Sequence, residues 1–188
     1  MRKPIVSVIG NAHIPQDSPQ CILAYEIGKK LMDAGYRLST GGLDGVMEAA
    51  SRGASESENH EPGSIIGLIP SFNTESCNPY IDTPIATGLD IGRNVVVANA
   101  DAVVAVGGGA GTLSEMANAW ALNRLIIACR ITGWSAKLAD TRIDEKIRYE
   151  TIPEDRVYGA DTADDVIQLL NTYIGKYTKR HDRLPKYR

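Results

Sequence analysis

The chain has 188 residues, 43% of them hydrophobic and 23% charged, with a net charge of −3. That length suits one domain with its own core, and that balance gives no reason to expect nucleic acid or an anionic membrane as a partner. No apolar run approaches the ~18 residues a membrane span needs, and the amino terminus carries no signal-type segment, so a cytoplasmic protein is expected.

In chain order, Ile5 to Ile9 reads as a first buried strand, and Gly10-Asn11-Ala12-His13 as the loop leaving it. Ser18-Pro19 supplies an N-cap with proline at the first helical position. Ile22, Leu23, Tyr25, Ile27 and Leu31 then give an apolar helix face that Gly35 closes. Tyr36 to Ser39 is a second strand. It delivers a glycine loop, Gly41, Gly42 and Gly45, whose helix runs from about Val46 to Ala54. Ser55 to Pro62 is a polar connection, Ile65 to Ile69 a third strand, and Ser71 to Pro79 a long irregular stretch suited to a mobile flap. A short strand around Ile85-Ala86 precedes Asp90, the expected N-cap of a helix that carries Arg93 and ends by Ala100.

Asp101 to Glu115, DAVVAVGGGAGTLSE, organises the rest. Ala102 to Val106 is too short for a helix and rich in valine, so it reads as a strand buried on both faces. Gly107-Gly108-Gly109-Ala110-Gly111-Thr112 follows, and the pattern turns helical from Leu113 to about Asn123. Strand, glycine loop and helix is the layout of an anion site, because bare backbone N–H groups and the helix dipole converge on one spot. No lysine makes it a Walker A loop, and Thr112 stands where the dinucleotide fingerprint needs glycine or alanine. An unadorned glycine turn is the alternative. Thr112-Leu113-Ser114-Glu115 also reads as a T-x-x-E capping box, in which Glu115 only bonds back to the helix start.

Leu125 to Ala128 is the next strand, and Thr132 to Asp140 holds a short helix around Trp134. Asp161-Thr162 caps a last amphipathic helix with Val166, Ile167, Leu169, Leu170 and Ile174 inward. The tail from Lys179 to Arg188 has five Lys/Arg and one Asp and reads as a solvated, flexible end, so residues 1–178 form the domain. The alternation predicts an α/β fold: a single-domain, Rossmann-like, doubly wound parallel sheet with helices on both faces. Its ligand edge gathers Gly10, Asn11, Gly41, Gly42, Gly45 and the loop from Gly107 to Thr112. Cys21, Cys77 and Cys129 fit neither a disulfide framework nor a zinc site. His13, His60 and His181 lack metal-ligand spacing, and no metal site is expected. Asp44, inside the second glycine loop, reads as a turn cap or a partner for a ligand hydroxyl.

The run GGxGTxxE resembles the signature of the LONELY GUY family. Thr40 to Met47 is similar to that family's second glycine loop, Gly67-Leu68-Ile69-Pro70 to its strand end, and Val6 to Gly10 to its first strand, covering roughly residues 4 to 130 in order. The family's active members release a base from a nucleoside 5′-monophosphate. The resemblance therefore implies an N-glycosidic hydrolase with Glu115 and Arg93 catalytic and phosphate on Gly108 to Thr112. Two positions depart from the pattern. Gly107 stands where proline is usual, and ungapped counting puts Gly92 at the family's arginine with Arg93 one place on. Gly-Arg-Asn with GGGxGT is more similar to the branch that includes molybdenum-cofactor carriers, which share the fold and bind a phosphorylated pterin without known hydrolysis. The expected function is accordingly binding of a phosphorylated heterocycle, nucleotide- or molybdopterin-like, with molybdenum cofactor as cargo. Hydrolysis is the alternative, and an NAD- or FAD-binding module a weaker one. A homo-oligomer, a dimer or higher, is expected through the helices Gly92 to Ala100 and Ala117 to Asn123.

Overall fold

A computed structural model describes residues 2–180. Seven strands form one parallel sheet in the order β4-β3-β2-β1-β5-β6-β7. They are β1 (Ile5–Gly10), β2 (Arg37–Thr40), β3 (Ile65–Ile69), β4 (Thr83–Ala86), β5 (Ala102–Val106), β6 (Leu125–Cys129) and β7 (Tyr158–Ala160). Central β5 shows why it reads as one continuous apolar run. Ala102, Val104 and Val106 enter the core on one face, Val103 and Ala105 the core on the other, and all are fully buried.

On the first face pack α1 (Pro19–Asp33), α2 (Val46–Ser55) and α6 (Ala163–Tyr173); on the second lie α3 (Asn94–Ala98) and α4 (Ala110–Ala121). A fifth helix, α5 (Trp134–Leu138), follows β6. α1 starts as the sequence predicts, with Ser18 accepting from the Cys21 N–H. Thr162 and Asp165 form a reciprocal capping box at α6. α1 and α2 meet backbone to backbone, Gly28 against Ala50 and Gly53 against Tyr25, where no side chain would fit.

Two expectations need correction. The T-x-x-E box at Thr112 does not form, because α4 begins at Ala110 on a Gly109 cap that has no side chain to offer. Asp90 caps nothing: with φ at +48° it opens a 3₁₀ turn, Asp90–Arg93, that leads into α3. β4 is the strand expected around Ile85-Ala86 and runs from Thr83, while β7 was not foreseen.

The strand order reverses between β1 and β5, so their carboxyl ends diverge and leave the crevice in which such sheets take ligands. At the opposite end Asp101 accepts from the Ile5 N–H at 2.9 Å, from Arg2 at 2.7 Å and from Arg180 at 2.6 Å. Lys179 donates to the Arg148 carbonyl at 2.6 Å, so the first two residues of the basic tail are tied down. Residues 181–188, the rest of that tail, and His181 lie outside the described residues. Among the described residues no helix is long and apolar enough to cross a membrane.

Candidate functional site

The crevice is built from both reversing strands, and Asn11 stitches them together. Its Oδ1 accepts from the Gly108 N–H at 2.7 Å, and its carbonyl accepts from the Val46 N–H at 2.9 Å. Gly107 has φ at +67°, and a Cβ there would stand 2.5 Å from Asn11 Oδ1, so this position requires glycine. The Gly107 N–H donates to Ser135 Oγ at 2.8 Å, and that hydroxyl donates to the Cys129 carbonyl at 2.7 Å. Backbone N–H groups of Ser135 and Trp134 return bonds to the carbonyls of Gly107 and Gly108 at 3.0 and 3.1 Å. The base of the loop is therefore rigid, and its first two amides are spent inside the protein.

The N–H groups left over start at Gly109, one residue later than expected. Among the described residues the amides of Gly109, Ala110, Gly111 and Thr112 have no acceptor; the first amide bonded back is Leu113, to the Gly109 carbonyl at 3.0 Å. Gly109, Ala110 and Gly111 are exposed, and a Cβ at Gly109 or Gly111 would meet nothing within 4 Å. Thr112 is buried. Four donors without an acceptor among the described residues, three of them on exposed residues, stand at the positive end of a twelve-residue helix, an arrangement suited to an anion.

The other foreseen glycines position rather than present. Gly10 packs against the Val106 carbonyl and Val46, and Gly45 against the carbonyls of Asn11 and Ala12. Gly42 packs on Ile69, and its carbonyl accepts from the Asn78 N–H at 2.9 Å. The Asn78 side chain donates to the Leu43 carbonyl at 3.0 Å, which anchors the irregular stretch after β3 to this loop. Asp44 is exposed on the rim.

Gly41 leads to the second part of the site. The space its Cβ would fill is taken by the Arg93 guanidinium, with Nη1 at 2.7 Å, and by Met47 Sδ at 2.8 Å. Arg93 Nη1 lies 3.9 Å from Glu115 Oε1, and each residue is only 8% exposed. That separation is too long for a hydrogen bond. Arg93 Nε and Nη1 are buried without a hydrogen-bond partner among the described residues. Burial outweighs the attraction of the pair. It pushes the Glu115 carboxyl up to about 7, with Arg93 opposing, and lowers Arg93, with Glu115 and Asp90 opposing. The one-residue offset counted in the sequence does not keep Arg93 away, because the 3₁₀ turn changes the phase at which it enters α3.

Arg148 and Asp155 show what a closed buried pair looks like in this protein. They are bonded twice, at 2.9 and 2.5 Å; Arg148 also donates to the Arg124 carbonyl and stacks on Trp120, while Tyr177 donates to Asp155. Nothing of that kind completes Arg93 and Glu115. His60 lies elsewhere, paired to Asp82 at the entry of β3. Sequence reasoning missed Ser135, Asn78 and Met47. Ser135 follows a turning glycine, Gly133, the one local signal that pointed there.

Comparison with known proteins bears on this geometry. The profile described as the SLOG cluster4 family matches residues 3–163. A molybdenum cofactor binding protein from the phototrophic bacterium Rippkaea orientalis is 34% identical, with 93% of this chain and 99% of that one covered and a TM-score of 0.75. The Moco carrier protein of Chlamydomonas reinhardtii is 29% identical over 93% and 99% of the two chains, with a TM-score of 0.74. An uncharacterized protein of Archaeoglobus fulgidus is 36% identical over 113 residues, 60% of this chain and 70% of that one.

Proposed function

The chain belongs to the SLOG cluster4 family, and on that premise we propose that it binds a phosphorylated heterocycle, molybdopterin- or nucleotide-like, as a cytoplasmic carrier of molybdenum-cofactor type. The phosphate accepts from the N–H groups of Gly109, Ala110, Gly111 and Thr112, and the heterocycle runs along α4 toward Arg93 and Glu115. The observation that carries this reading is the row of four amides without an acceptor among the described residues, three of them on the exposed residues Gly109, Ala110 and Gly111. Molybdenum belongs to the cargo; the chain's own residues hold the phosphate, exclude water and supply the polar pair. Two solved relatives are described as molybdenum cofactor binding or carrier proteins, which supports this choice over other phosphorylated ligands.

A second reading has one observation in its favour. A buried carboxyl held near 7 beside a guanidinium suits proton transfer at neutral pH, and the LONELY GUY-type hydrolysis of a nucleoside 5′-monophosphate needs a carboxylate at the glycosidic bond. Chromatographic assay for free base, on wild-type protein incubated with adenosine and guanosine monophosphate, separates the two. The carrier reading expects none above the no-protein control, whereas release that disappears in Glu115→Gln would establish hydrolysis. Mass spectrometry of the small molecules that co-purify with the protein tests binding itself.

A further inference from the structure

Arg93 and Glu115 face each other inside the protein beside the glycine loops. Each is nine-tenths buried, Arg93 Nε and Nη1 have no hydrogen-bond partner among the described residues, and Arg93 Nη1 stands 3.9 Å from Glu115 Oε1. What can complete both is restricted. A phosphate would satisfy Arg93 but be repelled by Glu115. A ligand that serves both must offer an acceptor to the guanidinium and, beside it, donors to the carboxylate, which can take two at once.

We propose that this pair reads the aminopyrimidinone edge of the bound heterocycle, the O=C–N–H with neighbouring NH₂ that pterins and guanine share. Arg93 donates to the ring carbonyl, and Glu115 accepts from the ring N–H and the exocyclic amine. The inference rests on the binding reading above and specifies its ligand. One further feature fits. From Ala110 to Glu115 is five residues of helix, about 7.5 Å along the axis. That spacing lets one nucleotide-sized ligand reach from the free amides to the pair. Adenine presents an amine next to a bare ring nitrogen and cannot give Glu115 two adjacent donors.

The test is calorimetric titration of the full chain with inorganic phosphate and with guanosine, inosine and adenosine monophosphates and ribose 5-phosphate. Guanosine monophosphate should bind at least about tenfold more tightly than the adenosine compound, the inosine compound should fall between, and ribose 5-phosphate should be weak. In Glu115→Gln the guanosine-to-adenosine ratio should collapse toward one, while Glu115→Asp, which keeps a carboxylate one methylene back, should retain part of it. Equal guanosine and adenosine affinities in the wild type, a ratio unchanged in Glu115→Gln, or ribose 5-phosphate binding as well as the nucleotides would overturn the inference while leaving the phosphate site standing. Failure of inorganic phosphate and of every nucleotide to bind would overturn the binding reading and this inference with it.

Discussion

Arg93 Nη1 and Glu115 Oε1 face each other at 3.9 Å inside the protein, too far apart to share a hydrogen bond. Burying the Glu115 carboxylate costs stability, and the sign of that cost with pH is fixed. The Glu115 carboxyl is raised from 4.5 to about 7, so folding is favoured while the group is protonated, and that contribution is lost as pH rises through about 7. Glu115→Gln abolishes the dependence. Relative to wild type, the variant should gain stability between pH 5 and pH 8, by as much as about 3 kcal/mol. Urea unfolding at the two pH values checks this, and parallel wild-type and variant curves would contradict it.

Gly111→Asp separates binding from folding. A side chain at Gly111 meets open space, and an acidic group in the first turn of α4 complements the dipole, so stability should hold or rise by about 0.3–1 kcal/mol. The same charge stands where the phosphate would bind. Affinity for inorganic phosphate should fall by more than about tenfold. Thermal melts and titration measure the two effects independently.

The tethers under the loop should behave in the opposite way. Asn11→Ala or Ser135→Ala leaves the N–H of Gly108 or Gly107 without its acceptor, at a cost of about 1–3 kcal/mol, and loosens the amides beyond it. Denaturation midpoints and phosphate affinity should fall together in both variants. Asn11→Asp keeps an acceptor for Gly108 and should spare stability better than alanine does.

These tethers also mark where the sequence stopped being informative. β3, β5 and β6 were legible because each is a continuous apolar run, β1 because four aliphatic residues flank a single Ser7, and the glycine loops because strand ends and glycines coincide. Tyr158-Gly159-Ala160 gave no such signal: three residues with a central glycine become a strand only by pairing with β6. Thr112 and Glu115 matched a cap pattern, yet exposed glycines let α4 begin earlier and so sent Glu115 inward. Whether Arg93 reached the site depended on a 3₁₀ turn, which residue counting does not register. Ser135 and Asn78 act through single long-range bonds that leave no periodic trace.

The outer surface around the same turn predicts association. Leu89, Ile91, Val95 and Val96 are 52%, 71%, 44% and 42% exposed, on the turn and helix that carry Arg93. A dimer through this surface should bury more than about 1,000 Å² in total. Light scattering at tens of micromolar should report twice the chain mass, and Ile91→Glu with Val95→Lys should return the monomer. A wild-type monomer would refute it.

The most direct test is what the purified protein holds. Native mass spectrometry of wild type and Gly111→Asp, followed by denaturing extraction, should find a phosphorylated pterin- or nucleotide-like molecule near one per chain in the wild type and little in the variant. A wild type that retains no such molecule and binds neither inorganic phosphate nor guanosine monophosphate, or a variant that retains as much as the wild type, would contradict the assignment of the α4 amides as the phosphate site.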